Sequence, residues 1–244
     1  MNLDCVFTNA EPISRIRPIA TLNPSEISMT PYAILGTGDV AKSLARGLRG
    51  LGHPVMLAGR DAAKTAATLA DFAGETGSQT GSYAQAAAFG QTVVLAVKGH
   101  AAAAVLDAAG SALNGKLLID ATNPIEDATP EHGVLRFFTG PNDSLGERLQ
   151  QAFPSLRIVK AFNTVGAAHF VQPRFAGGPG SMFIAGNDAE AKAEVAALVR
   201  AFGWEPYDCG RIEGARATEP LCQLWCLPGL LRGDWAHAFK VIAP

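Results

Sequence analysis

From Tyr32 onward, short apolar runs alternate with longer stretches in which apolar residues recur every three or four positions. Such alternation marks strand–helix–strand units, whose crossover helices cover the faces of a parallel sheet. Tyr32–Gly36 reads as the first strand, and Val40, Leu44, Leu48 and Leu51 follow at helical spacing. Pro54–Ala58 is the second strand. Asp61 is placed to cap a helix whose alanine-rich body should reach about Phe72 and stop before Gly74. A weak strand near Gln79 and a short helix from Ser82 lead to Thr92–Val97, which is apolar on both faces, as a central parallel strand must be. The pattern then predicts a helix over Ala101–Ala109, strands at Lys116–Asp120 and Leu156–Ala161, and a helix over Ser144–Phe153. Ile125 to Pro141 has no period and reads as an extended excursion. Past Phe162 come a glycine- and proline-rich loop at Pro173–Gly180, a strand at Met182–Ala185, a helix showing Ala191, Val195, Leu198 and Phe202 on one face, a strand near Trp204–Tyr207 and a final helix from about Arg216.

This order of elements predicts an α/β fold: a doubly wound parallel sheet over 31–161, followed by a smaller C-terminal α/β segment over 162–244 that closes a substrate cleft. Residues 1–30 carry three prolines, scattered charges and neither a sustained apolar period nor the apolar core of a secretory signal, so they read as a poorly ordered tail. Met29, just before the first strand, is an alternative start.

Composition narrows the function classes. With 48% hydrophobic and 17% charged residues in 244, wholesale disorder is excluded. Twenty Lys and Arg against 22 Asp and Glu leave a net charge of −2 and no basic run, so the footprint that nucleic acid requires is missing. No apolar stretch approaches the roughly 18 residues of a membrane span. Cysteines at 5, 209, 222 and 226 form no paired C-x-x-C clusters, which points to a reducing compartment and a cytoplasmic location. The expected partner is a small-molecule acceptor, and the reading leaves room for a homodimer.

The most specific chemistry lies at Gly36-Thr37-Gly38-Asp39-Val40-Ala41, a G-x-G-x-x-A run between the first strand and its helix. Gly36 permits the tight turn, Gly38 lets a pyrophosphate approach the backbone, and Ala41 allows close helix packing, while the helix start supplies oriented N–H donors. At the end of the second strand an NAD site usually presents an acidic residue, whereas this chain has Gly59 followed by Arg60, with Lys64 one turn further. A guanidinium suits a 2′-phosphate, so NADP(H) is the expected cofactor. The bland alternative is a solvated Arg and Lys on an exposed helix start.

Ligands of an open parallel sheet bind at the carboxyl ends of its strands, which here carry Val97, Lys98 and His100, then Asn123, then Asn163. The two asparagines could supply donors and acceptors to a nicotinamide carboxamide. His100 reads either as a proton donor or as a helix-start residue without chemistry, and His132, His169 and His237 lack companions at metal-ligand spacing, so no metal is expected. Cys222 and Cys226, four apart on one helical face, read as core packing or as a thiol pair near a metal or redox partner. Gly177–Gly180 is either a lid or a plain connection.

The segments GTGDVAKSLARGL, AGR, TVVLAVKGH, LIDATNP and KAFNTVG, followed by GGPGSMFIAGND, DCGRIEGAR and EPLCQLW, resemble the NADP oxidoreductases related to coenzyme F420-dependent NADP reductase, over about residues 31 to 242. The resemblance implies hydride exchange between NADP(H) and an 8-hydroxy-5-deazaflavin, or a flavin-like acceptor. It maps Thr37, Arg60 and Lys64 onto groups that hold the 2′-phosphate, and Gly59 onto a position where the family carries a serine. Two other outcomes stay open: an NADP(H)-sensing module without turnover, and a carbonyl or imine reductase that uses His100 or Lys98 as general acid.

Overall fold

The computed structural model describes residues 29–243; the tail expected over 1–30 lies, except for its last two residues, outside the described residues. Strands β1 (Tyr32–Leu35), β2 (Val55–Gly59), β3 (Gln79–Ser82), β4 (Thr92–Leu95), β5 (Leu117–Asp120), β6 (Arg157–Lys160), β7 (Ser181–Gly186) and β8 (Glu205–Asp208) form one 8-stranded sheet in the order β3-β2-β1-β4-β5-β6-β7-β8. The chain winds outward twice from β1, which places a topological switch point between β1 and β4. This is a Rossmann-type doubly wound fold.

The helices are α1 (Asp39–Gly50), α2 (Ala62–Thr68), α3 (Ala70–Thr76), α4 (Tyr83–Phe89), α5 (Ala102–Ala109), α6 (Leu145–Ala152), α7 (Ala189–Ala201) and α8 (Ala215–Arg232). Strand residues alternate between two cores, because successive Cβ atoms point to opposite faces. Ile34 packs with Leu44 and Leu48 of α1, Phe72 of α3 and Val195 and Val199 of α7, together with Phe162, Phe170 and Phe202. Ala33 and Leu35 face Ala86 and Ala87 of α4, Leu106 of α5 and Leu149 of α6. None of the described helices is long and apolar enough to cross a membrane.

The sheet is parallel from β3 through β6, as expected over 31–161; in the segment beyond, whose strand direction the sequence left open, β7 runs antiparallel to β6, with Lys160 opposite Ala185. A parallel neighbour needs a crossover helix, and between Lys160 and Ser181 the chain forms only a 3-10 turn at Ala167–His169, so it folds straight back. The helix after Asp61 is broken at Leu69 (φ −108°, ψ 11°) and does not stop before Gly74. Buried Leu69 and Phe72 anchor its second half, which runs through exposed Gly74 and closes at left-handed Gly77 (φ 65°). Strand β4 ends at Leu95, two residues short of Val97, as the chain turns toward the first glycine loop.

The segment 162–244 adds β7 and β8 to the edge of the same sheet. After α8 it returns along β7, where Ser181 N donates to Phe239 O (2.8 Å) and Val241 N to Ser181 Oγ (3.0 Å).

Gly36 is wedged at the switch point. Its φ is 147°, and a Cβ there would stand 2.1 Å from the Ala96 carbonyl oxygen. Gly36→Ala should therefore lower the unfolding free energy in urea by about 2–3 kcal/mol, as strain at a special backbone position does. A change below about 0.5 kcal/mol, typical of an unconstrained surface position, would contradict this packing.

Candidate functional site

Because β1 lies between β2 and β4, the loops leaving their carboxyl ends border one crevice. The two glycines of the first loop have different surroundings. Gly36 is packed against β4, and its N–H donates to Ala58 O (2.9 Å). Gly38, the N-cap of α1, is exposed, and a Cβ on it would meet nothing within 4 Å. That open space adjoins the first turn of α1, whose initial N–H groups have no partner within the helix. Thr37 is half-buried, Asp39 exposed and Val40 half-buried, while Ala41 is fully buried beneath them.

At the end of β2, the space next to buried Gly59 is taken by a neighbour: an added Cβ would lie 2.4 Å from Thr65 Oγ1 and 3.6 Å from Thr37 Cγ2. The Thr65 hydroxyl donates to Asp61 O (2.6 Å), and Asp61 Oδ1 accepts from Lys64 N (2.7 Å) as the N-cap of α2. Asp61 is thus engaged by its own helix, and Arg60 and Lys64 are exposed beside the crevice.

The ends of β4, β5 and β6 also come together. A Cβ on Gly99 would stand 2.1 Å from Asn123 O, which shows how closely the loop after β4 crosses the one after β5. Asn123 Nδ2 donates to Asn163 O (2.9 Å), and Asn163 Nδ2 donates to Asn123 Oδ1 (3.1 Å) and Thr218 O (3.0 Å). With its amide donors directed to acceptors, Asn163 has its orientation fixed, and its Oδ1 is buried without a hydrogen-bond partner. Val97 is half-buried at the edge of this cluster. Lys98 Nζ lies 2.5 Å from Asp127 Oδ1, and His100 Nε2 lies 3.6 Å from Asp127 Oδ2. The Lys98 ammonium, by hydrogen bond and charge, holds the Asp127 carboxyl below the usual range. Both side chains considered as general acids therefore face an exposed carboxylate from the 125–141 excursion.

Beneath the asparagines is a buried ionic group. Lys160 Nζ lies 2.9 Å from Asp120 Oδ2 and 2.8 Å from Glu219 Oε1, with all three side chains at most 1% exposed. Asp120 Oδ1 accepts from Thr122 N (2.9 Å) and Thr122 Oγ1 (2.6 Å). Glu219 accepts from the Leu145 and Gly146 N–H groups at the start of α6 (both 2.9 Å). One cation facing two carboxylates leaves an excess negative charge, and it sits at the positive end of a helix. Burial acts to lower the Lys160 pKa, but Asp120 and Glu219 outweigh it and hold the ammonium above its ordinary value.

The thiols of Cys222 and Cys226 stand 4.0 Å apart on α8, the first buried and the second half-buried. A hydrogen bond between them holds Cys226 below, and Cys222 above, the ordinary thiol range. Asp127, Lys160, Thr218 and Glu219 escaped the sequence reading. The available signal was a charged residue ending each of two apolar strands, Asp120 and Lys160, which are direct neighbours when β5 and β6 pair in register.

The family described as NADP oxidoreductase, coenzyme F420-dependent, matches residues 31–124. A crystal structure of a candidate F420-dependent NADP reductase from Arthrobacter sp. FB24 superposes with a TM-score of 0.82 at 36% identity, covering 88% of this chain and 100% of that one. The chain belongs to the coenzyme F420-dependent NADP oxidoreductase family. F420-dependent NADP reductase of Methanothermobacter marburgensis is 29% identical over 199 residues, 78% of this chain and 87% of the relative. Metalloreductase STEAP3 of Rattus norvegicus is 34% identical over 203 residues, which are 81% of this chain but only 38% of that protein. The chain is thus an NADP-dependent oxidoreductase of this family, with Gly36, Gly38, Arg60 and Asn123 inside the matched residues 31–124 and Asn163 outside them.

Lys160→Met would leave Asp120 and Glu219 facing each other without a cation. Breaking a buried ion group in this way costs about 3–5 kcal/mol, so the denaturation midpoint of this variant should fall steeply at neutral pH. A midpoint unchanged from that of the parent protein would show that the three charges are not coupled.

Proposed function

We propose that NADP(H) lies along the crevice, with its pyrophosphate over Gly36, Thr37 and Gly38 and the backbone of Asp39 and Val40. The 2′-phosphate is taken by Arg60 and Lys64 with the Thr37 hydroxyl, beside the close approach of Gly59. The nicotinamide reaches Val97, Lys98, Asn123 and Asn163. The observation that carries this reading is the contrast between the two glycines: the space at Gly36 is filled by protein, and the space at Gly38 is open at a helix start. Asn163 adds a second fit, since a carboxamide N–H would satisfy its unpartnered Oδ1.

When bound, NADPH supplies the hydride, and the chain's part is to hold the ring, exclude water and orient the acceptor. The acceptor proposed is a flat deazaflavin or flavin-like ring, which needs positioning more than a dedicated proton donor. The Lys98 and His100 pairings with Asp127 favour it over a carbonyl or imine, whose reduction calls for a general acid aimed into the cleft. The family's oxidoreductase chemistry favours turnover over sensing. Anaerobic NADPH oxidation in the presence of deazaflavins, flavins, quinones and carbonyl compounds separates these acceptors.

Arg60→Ala tests the cofactor assignment. It should weaken NADPH by roughly 1–3 kcal/mol, the loss of a charge-assisted contact, and leave NADH nearly unchanged in a fluorescence titration. Equal weakening of both nucleotides would remove Arg60 from the 2′-phosphate site.

A further inference from the structure

We infer that the buried Asp120–Lys160–Glu219 group is a positioning device for the nicotinamide end of the site, an inference that rests on the nucleotide reading above. Hydrogen bonds, ion pairs and two peptide links join it in a closed ring with the two asparagines. Lys160 binds Asp120; Asp120 binds Thr122; Thr122 precedes Asn123; Asn123 exchanges hydrogen bonds with Asn163; Asn163 donates to Thr218 O; and Thr218 precedes Glu219, which binds Lys160 again. The charged atoms of the triad are paired within the protein, whereas Asn163 Oδ1 is not, so the triad acts on a ligand only through the asparagines. Thr122 and Thr218, the residues through which the ring passes, each hold one asparagine in place. The ring leaves two buried polar atoms without partners, Asn163 Oδ1 and Thr218 Oγ1, and of the two only the amide oxygen, held by the donors of its own side chain, is an acceptor in a fixed direction. Fully connected buried polar networks specify one geometry, and a network cut at one link loses that uniqueness.

Asp120 is where the ring can be cut without stranding a charge. Its two oxygens serve different partners, Oδ1 for Thr122 and Oδ2 for Lys160. An asparagine has one acceptor oxygen and cannot serve both, while Lys160 and Glu219 remain as a balanced pair. Asp120→Asn therefore loosens Asn123 and Asn163 with the remaining buried charges paired. Thr122→Val removes only the hydroxyl link to Asp120 and keeps all three charges.

The test compares equilibrium binding of NADP+ with that of 2′-phospho-ADP-ribose, which has the phosphates but no nicotinamide, by the full-length chain and both variants, with thermal midpoints recorded alongside. The unaltered protein should bind NADP+ about tenfold more tightly, the worth of one satisfied buried acceptor. In Asp120→Asn that ratio should fall toward about twofold, and in Thr122→Val part of the way, with affinity for 2′-phospho-ADP-ribose held within about twofold. A merely structural role would weaken both nucleotides together or lower the thermal midpoint with the ratio intact, and either result in both variants overturns the positioning role alone. If Asp120→Asn does not fold, Thr122→Val decides by the same criterion. A ratio near one in the unaltered protein also overturns the positioning role, whereas failure to bind either nucleotide overturns the nucleotide reading and this inference with it.

Discussion

One buried ammonium, that of Lys160, holds together the parts of the molecule that border the crevice. It ends β6, faces Asp120 at the end of β5 and Glu219 in α8, and through Glu219 it is linked to the first turn of α6. An ion buried this deeply has no stable alternative to its two carboxylates, because an unpaired charge in the interior costs several kcal/mol. The constraint adds a charged link to the strand pairing and shared core that hold the 162–244 segment on the sheet.

The site is built on that frame at two levels. The proposed phosphate end draws on two short segments, the glycine loop with its helix start and the cations Arg60 and Lys64, which the pairing of β1 with β2 brings together. The far end depends on tertiary structure, because Asn123 and Asn163 lie 40 residues apart and meet only where β5 and β6 pair. Small residues at the strand ends let the loops approach closely, as the space between Gly99 and Asn123 O, too small for a Cβ, illustrates. Such an arrangement suits a protein whose cofactor carries the chemistry and whose own task is placement.

The same division explains what could be read from the chain. The glycine run, Arg60 and the strand-end asparagines are each visible within a few residues of a strand boundary, and the element order gives the doubly wound sheet that the Arthrobacter structure shares. The ionic group was not visible, because Asp120, Lys160 and Glu219 come from three distant segments, and each looks like an ordinary surface charge until strand order is known. The direction of β7 was left open for a related reason: a loop of irregular sequence between two apolar strands carries no mark of direction. The extension of the third helix region past Gly74 came from tertiary anchoring by Leu69 and Phe72, which overrode the glycine's local preference. Lys98 and His100 looked like free functional groups because their partner, Asp127, lies in the excursion without a period.

The central claim is that NADP(H) occupies the crevice from the Gly38 loop to the asparagine pair. Amide hydrogen exchange of the full-length chain with and without saturating NADP+ tests it most directly, because each amide reports its own site. Slowed exchange at residues 38–40 and 61–64, and at 122–123 and 163–164, is the predicted result. Protection confined to other segments, or none at saturating nucleotide, would contradict it.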